Sequence, residues 1–262
     1  MRIDQLQDYL EADLAWRKME ISQLFRILND VEAKDVVLKS IILLLYAHWE
    51  GYIKKSSKYY LKYVSEQKVK IKDLTLNFKA IVLKESAQRC FEQNSLTLAN
   101  EIRFINKQKK MDDLKFKINI DVDDEKDKSI INTKDNLSSK VLNNIIDIIG
   151  LKYNDAMKKR SNYIDFDLVR RRNSIGHGNK LIRGQVEEEQ DLSFEDAVRL
   201  KDFIMLMLDY FSEVVIDYAG YEFYLAANNE KRNEYEEKME ERLSKHLTQM
   251  EEKDYSQYKE AL

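Results

Sequence analysis

The stretch DVVLKSIILLLYAHWEGYIKKSSKYYLKYVSE, residues 35–66, holds a long apolar pattern that no proline interrupts. Its first half is apolar on almost every side, which is typical of a helix buried at the centre of a bundle. Its second half is rich in lysine and tyrosine, so we expect the same helix to end at the surface. Proline is absent from all 262 residues, which removes a strong helix breaker. The stretch therefore predicts one long central helix in an all-α fold.

Amphipathic patterns on both sides of this stretch predict further helices that pack around it. Their apolar residues recur at helical spacing, and capping residues mark several of their ends. The predicted segments are 3–29; two or three helices within 73–107, with Asn94 or Ser95 as a cap; Asn136 or Ser138 to Gly150; 161–177; and 193–220, which opens on a near capping box of Ser193 and Asp196.

Two segments depart from this helical pattern. Residues 116–122 alternate apolar and polar side chains and then give way to charge, which predicts a short strand or extended loop within an insertion at about 108–135. Residues 228–262 are almost purely charged and predict a solvent-facing helix or a short partner-binding coil. We therefore expect a helical bundle domain at 1–227 and a charged C-terminal helical tail at 228–262.

The formal net charge of −3 hides two basic segments and an acidic end. Residues 54–72 and 152–183 each sum to +6, whereas residues 187–262 sum to −12. A basic helix segment is either a solvated face or part of a groove for polyanions such as RNA, and composition leaves both open.

Several classes of site and location are disfavoured. One cysteine, Cys90, excludes an internal disulfide and a cysteine-based zinc cluster. The glycine-rich loops that cradle nucleotide phosphates are missing. The start of the chain lacks the apolar region of a signal peptide, and the longest apolar run, residues 41–47, is too short to cross a bilayer. We expect a cytoplasmic protein with no metal and no cofactor.

The stretch RRRNSIGHGNK, residues 170–180, combines dense positive charge with a histidine and two glycines. Cleavage of RNA without a metal needs a proton acceptor near neutral pH and a fixed cation beside the phosphate. His177 and Arg172 have the side chains suited to these two tasks, and Asn173 can donate or accept a hydrogen bond beside them. The basic residues expected to bind substrate around them are Arg170, Arg171 and Lys180.

Helical geometry limits how Arg172 and His177 can cooperate. At about 100° per residue, five positions place them roughly 140° apart on one straight helix. Either the helix loosens at Gly176 and Gly178, or two copies of the motif meet across a dimer seam. A structural interpretation also stands, in which His177 interacts with the last carbonyls of a helix and the arginines form a solvated face.

The segment Arg172–His177 resembles the R-x4-6-H signature of the HEPN superfamily (higher eukaryotes and prokaryotes nucleotide-binding), in which a polar residue, often Asn, follows the Arg. The wider FDLVRRRNSIGHGNK resembles the motif helix of its ribonuclease branch. LLYAHWEGYIKKSSKYYLKY and TKDNLSSKVLNNIIDIIGL are similar to segments of a bacterial group in that branch. Gly176 departs slightly from the pattern, in which alanine is common.

The resemblance implies an all-helical domain whose dimer forms one metal-independent ribonuclease site. Arg172 would bind and stabilise the scissile phosphate, Asn173 would orient, and His177 would transfer a proton. The products would be a 2′,3′-cyclic phosphate and a 5′-hydroxyl. Members of this branch act as toxins or anti-phage defence effectors, so a neutralising antitoxin or a defence-complex protein is an expected partner beside RNA.

Further polar residues have two interpretations each. His48 and Glu50, inside the apolar helix, form either a structural hydrogen-bonded pair or a support for the active-site residues. Tyrosines 59, 60 and 63 either belong to the core and its rim or stack on RNA bases. For the whole chain, the alternatives to an endoribonuclease are a non-catalytic helical module that binds RNA, nucleotide or protein, and an adaptor that acts through residues 228–262.

Overall fold

A computed structural model describes residues 1–27, 34–91, 97–124, 126–178 and 193–256. The described residues form α-helices and short 3₁₀ and π-helical segments, and no strand forms among them, so the predicted all-α fold is confirmed. The α-helices are α1 (Ile3–Ile27), α2 (Lys34–Glu66), α3 (Leu76–Cys90), α4 (Ala99–Met111), α5 (Ser139–Ile149), α6 (Asp155–Lys159), α7 (Arg171–Gly176), α8 (Phe194–Gly220) and α9 (Asn229–Glu251).

Helix α2 is the centre of the bundle, as its all-round apolar pattern predicts. It contacts α1, α5, α7 and α8, and Ile41, Trp49 and Tyr52 along it are fully buried. By length and composition alone the segment from Val36 could cross a membrane. Its hydropathy is that of a core helix here, because neighbouring helices cover its apolar side chains.

Three of the predicted helix ends are present. The Ser138 side chain accepts a hydrogen bond from the backbone N–H of Val141 and caps α5, and Ser193 and Asp196 form a full capping box on α8. Gly150 ends α5 with a φ of 77°, and an added Cβ there would lie 2.7 Å from Asn77 Oδ1. Only glycine therefore fits both the backbone and the space at that position. Asn94 and Ser95 lie outside the described residues.

The insertion is an extended loop, so the loop alternative is the one observed. It begins later than predicted because α4 continues to Met111. Lys58 on α2 is buried and anchors the loop, since its Nζ donates to the carbonyl oxygens of Asp121 (2.9 Å) and Asp124 (2.8 Å). The loop thus lies along the lysine-rich half of α2.

The helix predicted over 161–177 is present as one continuous helical run over 161–176. Its middle, Tyr163–Arg170, is π-helical, α7 continues from it to Gly176, and α6 is a separate short helix that ends at Lys159. Asp165 on the π-helical segment accepts hydrogen bonds from the backbone N–H (2.8 Å) and hydroxyl (2.5 Å) of Ser139 at the start of α5. π-Helical turns are rare and occur frequently at functional sites.

The charged C-terminal segment is helical, and its sparse apolar residues face the bundle. Helix α9 contacts α6 and α8, and Arg160 forms two hydrogen bonds of 3.0 and 2.7 Å with the Glu251 carboxylate. Most of its charged residues are exposed, so the helix faces solvent on its charged side and the bundle on its apolar side. The buried apolar side chains of α9 are Met239, Leu243, Leu247 and Met250.

Candidate functional site

Arg172 lies in the first turn of α7 and turns toward α2. Its guanidinium carbon lies 4.4 Å from the centre of the Tyr46 ring, which is within the range of a cation–π interaction. Its Nη1 donates to Asn173 Oδ1 at 2.8 Å. The side chain is half-buried, so the guanidinium has a defined place at the protein surface.

Tyr46 is buried and is itself held at its hydroxyl. That hydroxyl accepts a hydrogen bond from the backbone N–H of Leu137 at 2.9 Å. Burial, with the nearby Glu50 carboxylate, raises the pKa of Tyr46 far above its usual value. The phenol therefore stays protonated. The carbonyl of Leu137 accepts in turn from Trp49 Nε1 at 3.2 Å.

The end of the insertion loop forms the other side of this site. Asn136 Oδ1 lies 3.5 Å from Asn173 Nδ2, at the limit of a hydrogen bond. Lys134 and Asp135 just before it both have a positive φ, of 56° and 55°. Such backbone is disfavoured for residues with a side chain and occurs at turns and at functional sites. Lys68 and Glu222, outside this site, have the same φ of 56°. A hydrogen bond from Lys128, helped by the charge of Arg172, lowers the pKa of Asp135.

The remaining basic residues of the motif point in other directions. Arg171 pairs with Asp167, with 3.6 Å between Nη2 and Oδ1, and Arg170 lies over the Phe166 ring. Burial raises the pKa of Asp167, and Arg171 opposes that shift. Three consecutive helical residues point about 100° apart, so the basic triplet is not one patch. Lys180 lies outside the described residues.

His177 caps the end of α7 and is exposed. Its backbone N–H donates to the Asn173 carbonyl at 3.0 Å, and Gly178 follows with a φ of 72°. Within the described part of the chain, no hydrogen bond, ion pair or ring contact joins the His177 side chain to Arg172. Gly176 stays helical and does not turn the two side chains together. One copy of α7 therefore holds Arg172 against α2 and leaves His177 at the surface.

His48 and Glu50 have separate surroundings. His48 is buried against α1, where its Nδ1 lies 3.4 Å from Arg17 Nη1 and its Nε2 lies 2.9 Å from Glu20 Oε2. Since Nδ1 faces a donor, the Nε2 carries the proton. Burial, then the charge of Arg17, lower the pKa of His48, and Glu20 opposes them. Glu50 lines the cleft beside the insertion loop and adds to the effect of burial in raising the pKa of Tyr46, whereas His48 belongs to the contact between α1 and α2.

The tyrosines of the lysine-rich half of α2 belong to the bundle. Tyr60 and Tyr63 are buried, so the interpretation that they stack on bases is wrong for these two. Tyr59 is half-buried and stacks on Tyr9 with 5.1 Å between ring centres.

An open cleft of about 580 Å³ lies between α1, α2 and the insertion loop and includes Glu50 and Asp135. Its charges are mixed, so it is not a uniformly basic groove. The basic residues that line it are Arg17, Lys54, Lys55 and Lys58, and the acidic residues are Asp13, Glu50, Asp123 and Asp135.

The comparison with protein families assigns the domain. A family model described as HEPN_MAE_28990-like HEPN matches residues 6–224. The chain belongs to the HEPN family. No curated protein and no solved structure gave a significant match. HEPN domains commonly bind RNA and often dimerise, and membership supports a nuclease-like function in general.

The HEPN match includes α2, the insertion loop and the whole motif helix, and it ends before α9. Sequence reasoning selected Arg172, Asn173 and Glu50 in this domain but missed Tyr46, on which Arg172 rests. The spacing of Tyr46 and Glu50 by four residues puts them on one face of α2. That spacing could have drawn attention to Tyr46, but it does not show that Arg172 packs on the Tyr46 ring.

Proposed function

We propose that this HEPN protein is a metal-independent endoribonuclease of the cytoplasm that acts as a toxin or anti-phage defence effector. The observation that carries the proposal is the arrangement of the motif. Arg172 is held between the Tyr46 ring and the Asn173 amide, and His177 lies exposed one helical turn beyond Asn173. A fixed guanidinium and an accessible imidazole are the two groups that RNA cleavage without a metal requires.

The chemistry proceeds by transfer within the RNA. A base removes the proton of the 2′-hydroxyl, the 2′-oxygen bonds to the adjacent phosphorus, and the bond from phosphorus to the 5′-oxygen breaks. The leaving 5′-oxygen takes up a proton, so the products are a 2′,3′-cyclic phosphate and a 5′-hydroxyl. His177 is assigned to proton transfer. Arg172 stabilises the charge on the phosphate oxygens through its planar fork of donors, and Asn173 orients Arg172.

The proposed active form is a homodimer. Because Arg172 turns toward α2 while His177 is exposed at the helix end, one chain does not aim both at a single atom. Two copies of α7 that meet across a two-fold axis would pool two arginines and two histidines in one cleft. Arg170, Arg171 and Lys180 are the proposed substrate-binding residues around it. A neutralising antitoxin or a defence-complex protein is the proposed regulatory partner.

The deciding experiment incubates wild-type protein and His177→Ala with total RNA and maps the new RNA ends. We expect wild type to leave 2′,3′-cyclic phosphate and 5′-hydroxyl ends, with EDTA present or absent. We expect His177→Ala to cleave about 100-fold to 10,000-fold more slowly, the usual contribution of acid–base catalysis. Equal cleavage by both proteins, purified in parallel, would contradict the assignment of His177. RNA binding without cleavage by wild type would instead support the non-catalytic module.

The composite site is tested by mixing Arg172→Ala and His177→Ala proteins after unfolding and refolding them together. A shared site predicts activity above the sum of the two variants, because mixed dimers contain one intact arginine and one intact histidine in the same cleft. Independent sites predict only the sum. Each variant refolded alone is the control.

A further inference from the structure

We infer that Tyr46 is a positioning residue for the proposed cleavage, since its ring holds the Arg172 guanidinium where the scissile phosphate binds. This inference rests on the proposed function. The Tyr46 ring is 3% exposed, and the guanidinium carbon of Arg172 lies 4.4 Å from its centre. Tyr46 therefore forms a buried floor under a residue that must meet solvent and substrate on its other side.

An arginine can be held by a carboxylate or by an aromatic ring, and the choice decides how many of its N–H donors remain available to bind a phosphate. An arginine held by a carboxylate uses its N–H groups in that pair. Arg171 forms an ion pair with the Asp167 carboxylate, with 3.6 Å between Nη2 and Oδ1. Arg172 is held instead by a ring face, which accepts no conventional hydrogen bond, and the one hydrogen bond that it donates among the described residues goes to the neutral Asn173. The ring orients the guanidinium and leaves its other N–H groups available.

The Tyr46 ring is itself held in place, so it can fix the position of the Arg172 guanidinium. Its hydroxyl accepts a hydrogen bond from the Leu137 backbone N–H at 2.9 Å. The Leu137 carbonyl accepts in turn from Trp49 Nε1 at 3.2 Å, so the residue that holds the hydroxyl is itself held by α2. Asn136, next to Leu137, completes the support through Asn173.

The test compares single-turnover cleavage of an RNA oligonucleotide by Tyr46→Leu, Tyr46→Phe and wild type. We expect Tyr46→Leu to lower the cleavage rate at saturating RNA about tenfold, the upper size of a cation–π contribution, and Tyr46→Phe to lose about threefold or less. In an Arg172→Ala background, Tyr46→Leu should cause no further loss, because its effect passes through Arg172. Tyr52→Leu is the matched control. It removes another buried tyrosine of α2, and the cleavage rate per folded molecule should stay at the wild-type value.

A second series keeps the ring size constant in case Tyr46→Leu does not fold. Phenylalanines that carry one, two and three fluorine atoms are placed at position 46, which withdraws charge from the ring face in steps. A stepwise fall in cleavage rate supports the inference, and a flat series overturns it. Wild-type rates in Tyr46→Leu overturn it as well. Wild-type protein that leaves RNA intact contradicts the proposed ribonuclease function itself, a result distinct from either of these.

Discussion

The chain contains two arginine–histidine sets, and their surroundings are opposite in kind. Arg17 and His48 are buried and in direct contact at 3.4 Å. The Asp13 carboxylate pairs with Arg17 at 2.7 Å, and Glu20 lies against His48. This set has its charges paired within the protein, which is what burial of charged groups requires.

The second set, Arg172 and His177, is arranged for contact with something outside the chain. Arg172 rests on a ring and an amide, without a carboxylate within ion-pair distance among the described residues. His177 is exposed at the end of α7. The difference teaches that residue type alone does not mark a site. What distinguishes the second set is that the Arg172 guanidinium is oriented by a ring and an amide and forms no ion pair among the described residues.

The largest expected contrast comes from replacing each arginine with methionine. Arg17→Met leaves Asp13 buried without its main partner and should lower the free energy of unfolding by about 3 kcal/mol, the low end for a broken buried pair because Lys55 remains near Asp13. Arg172→Met should change stability by less than about 1 kcal/mol and slow RNA cleavage about 100-fold or more. Urea unfolding and single-turnover cleavage measure the two effects. Loss of RNA cleavage by folded Arg17→Met, or retention of cleavage by Arg172→Met, would contradict this division into a structural and a functional arginine.

A smaller contrast is expected from the glycine beside each set. An added Cβ at Gly51 would lie 2.8 Å from Arg17 Nη1, whereas at Gly176 it would meet nothing within 4 Å. Gly51→Ala should destabilise the protein by about 1 kcal/mol because the Arg17–Asp13 pair must shift. Gly176→Ala should stabilise it by about 0.5 kcal/mol through helix propensity, without loss of cleavage. Thermal unfolding of both variants checks the signs. A Gly51→Ala protein as stable as wild type would show that Gly51 is not a packing position, and a destabilised Gly176→Ala would contradict the expectation for α7.

The smallest expected effect is the pH dependence of stability that His48 contributes. Burial and Arg17 lower its pKa below the usual 6.5, so the unfolded chain binds the proton more readily than the folded one. Stability from this group is therefore full above pH 6.5 and is lost as the pH falls below it. The pKa of Asp13 is also lowered, from 3.8. The stability that its carboxylate contributes is therefore lost only below about pH 3.8, well outside the range in which His48 titrates.

Unfolding of wild type and His48→Gln in urea at about pH 7.5 and about pH 5.5 isolates this contribution, since glutamine does not titrate in that range. Wild type should lose more stability than His48→Gln between the two values. An equal loss would mean that the charged form of His48 is tolerated by Glu20 and Asp13.

The sequence predicted the fold more fully than the site. The central helix followed from an apolar run with no proline, and the ends of α5 and α8 followed from Ser138, Gly150 and the Ser193–Asp196 box, because caps are local chemistry. The π-helical turns within the motif helix, and the packing of the apolar stripe of α9 on α6 and α8, were not predicted. A π-helical turn and the choice of which weak apolar stripe is covered both depend on neighbouring helices that no local pattern contains.

For the site, the sequence by itself determined the residue types: an arginine, an asparagine and a histidine at fixed spacing, with about 140° between the first and last on an ideal helix. Only the tertiary structure decided that Arg172 rests on Tyr46, that Leu137 holds the Tyr46 hydroxyl, and that His48 belongs to a buried pair with Arg17. Spacing along a chain fixes the angles within one helix. Which ring or carboxylate meets each side chain is set by the packing of helices that are distant in sequence.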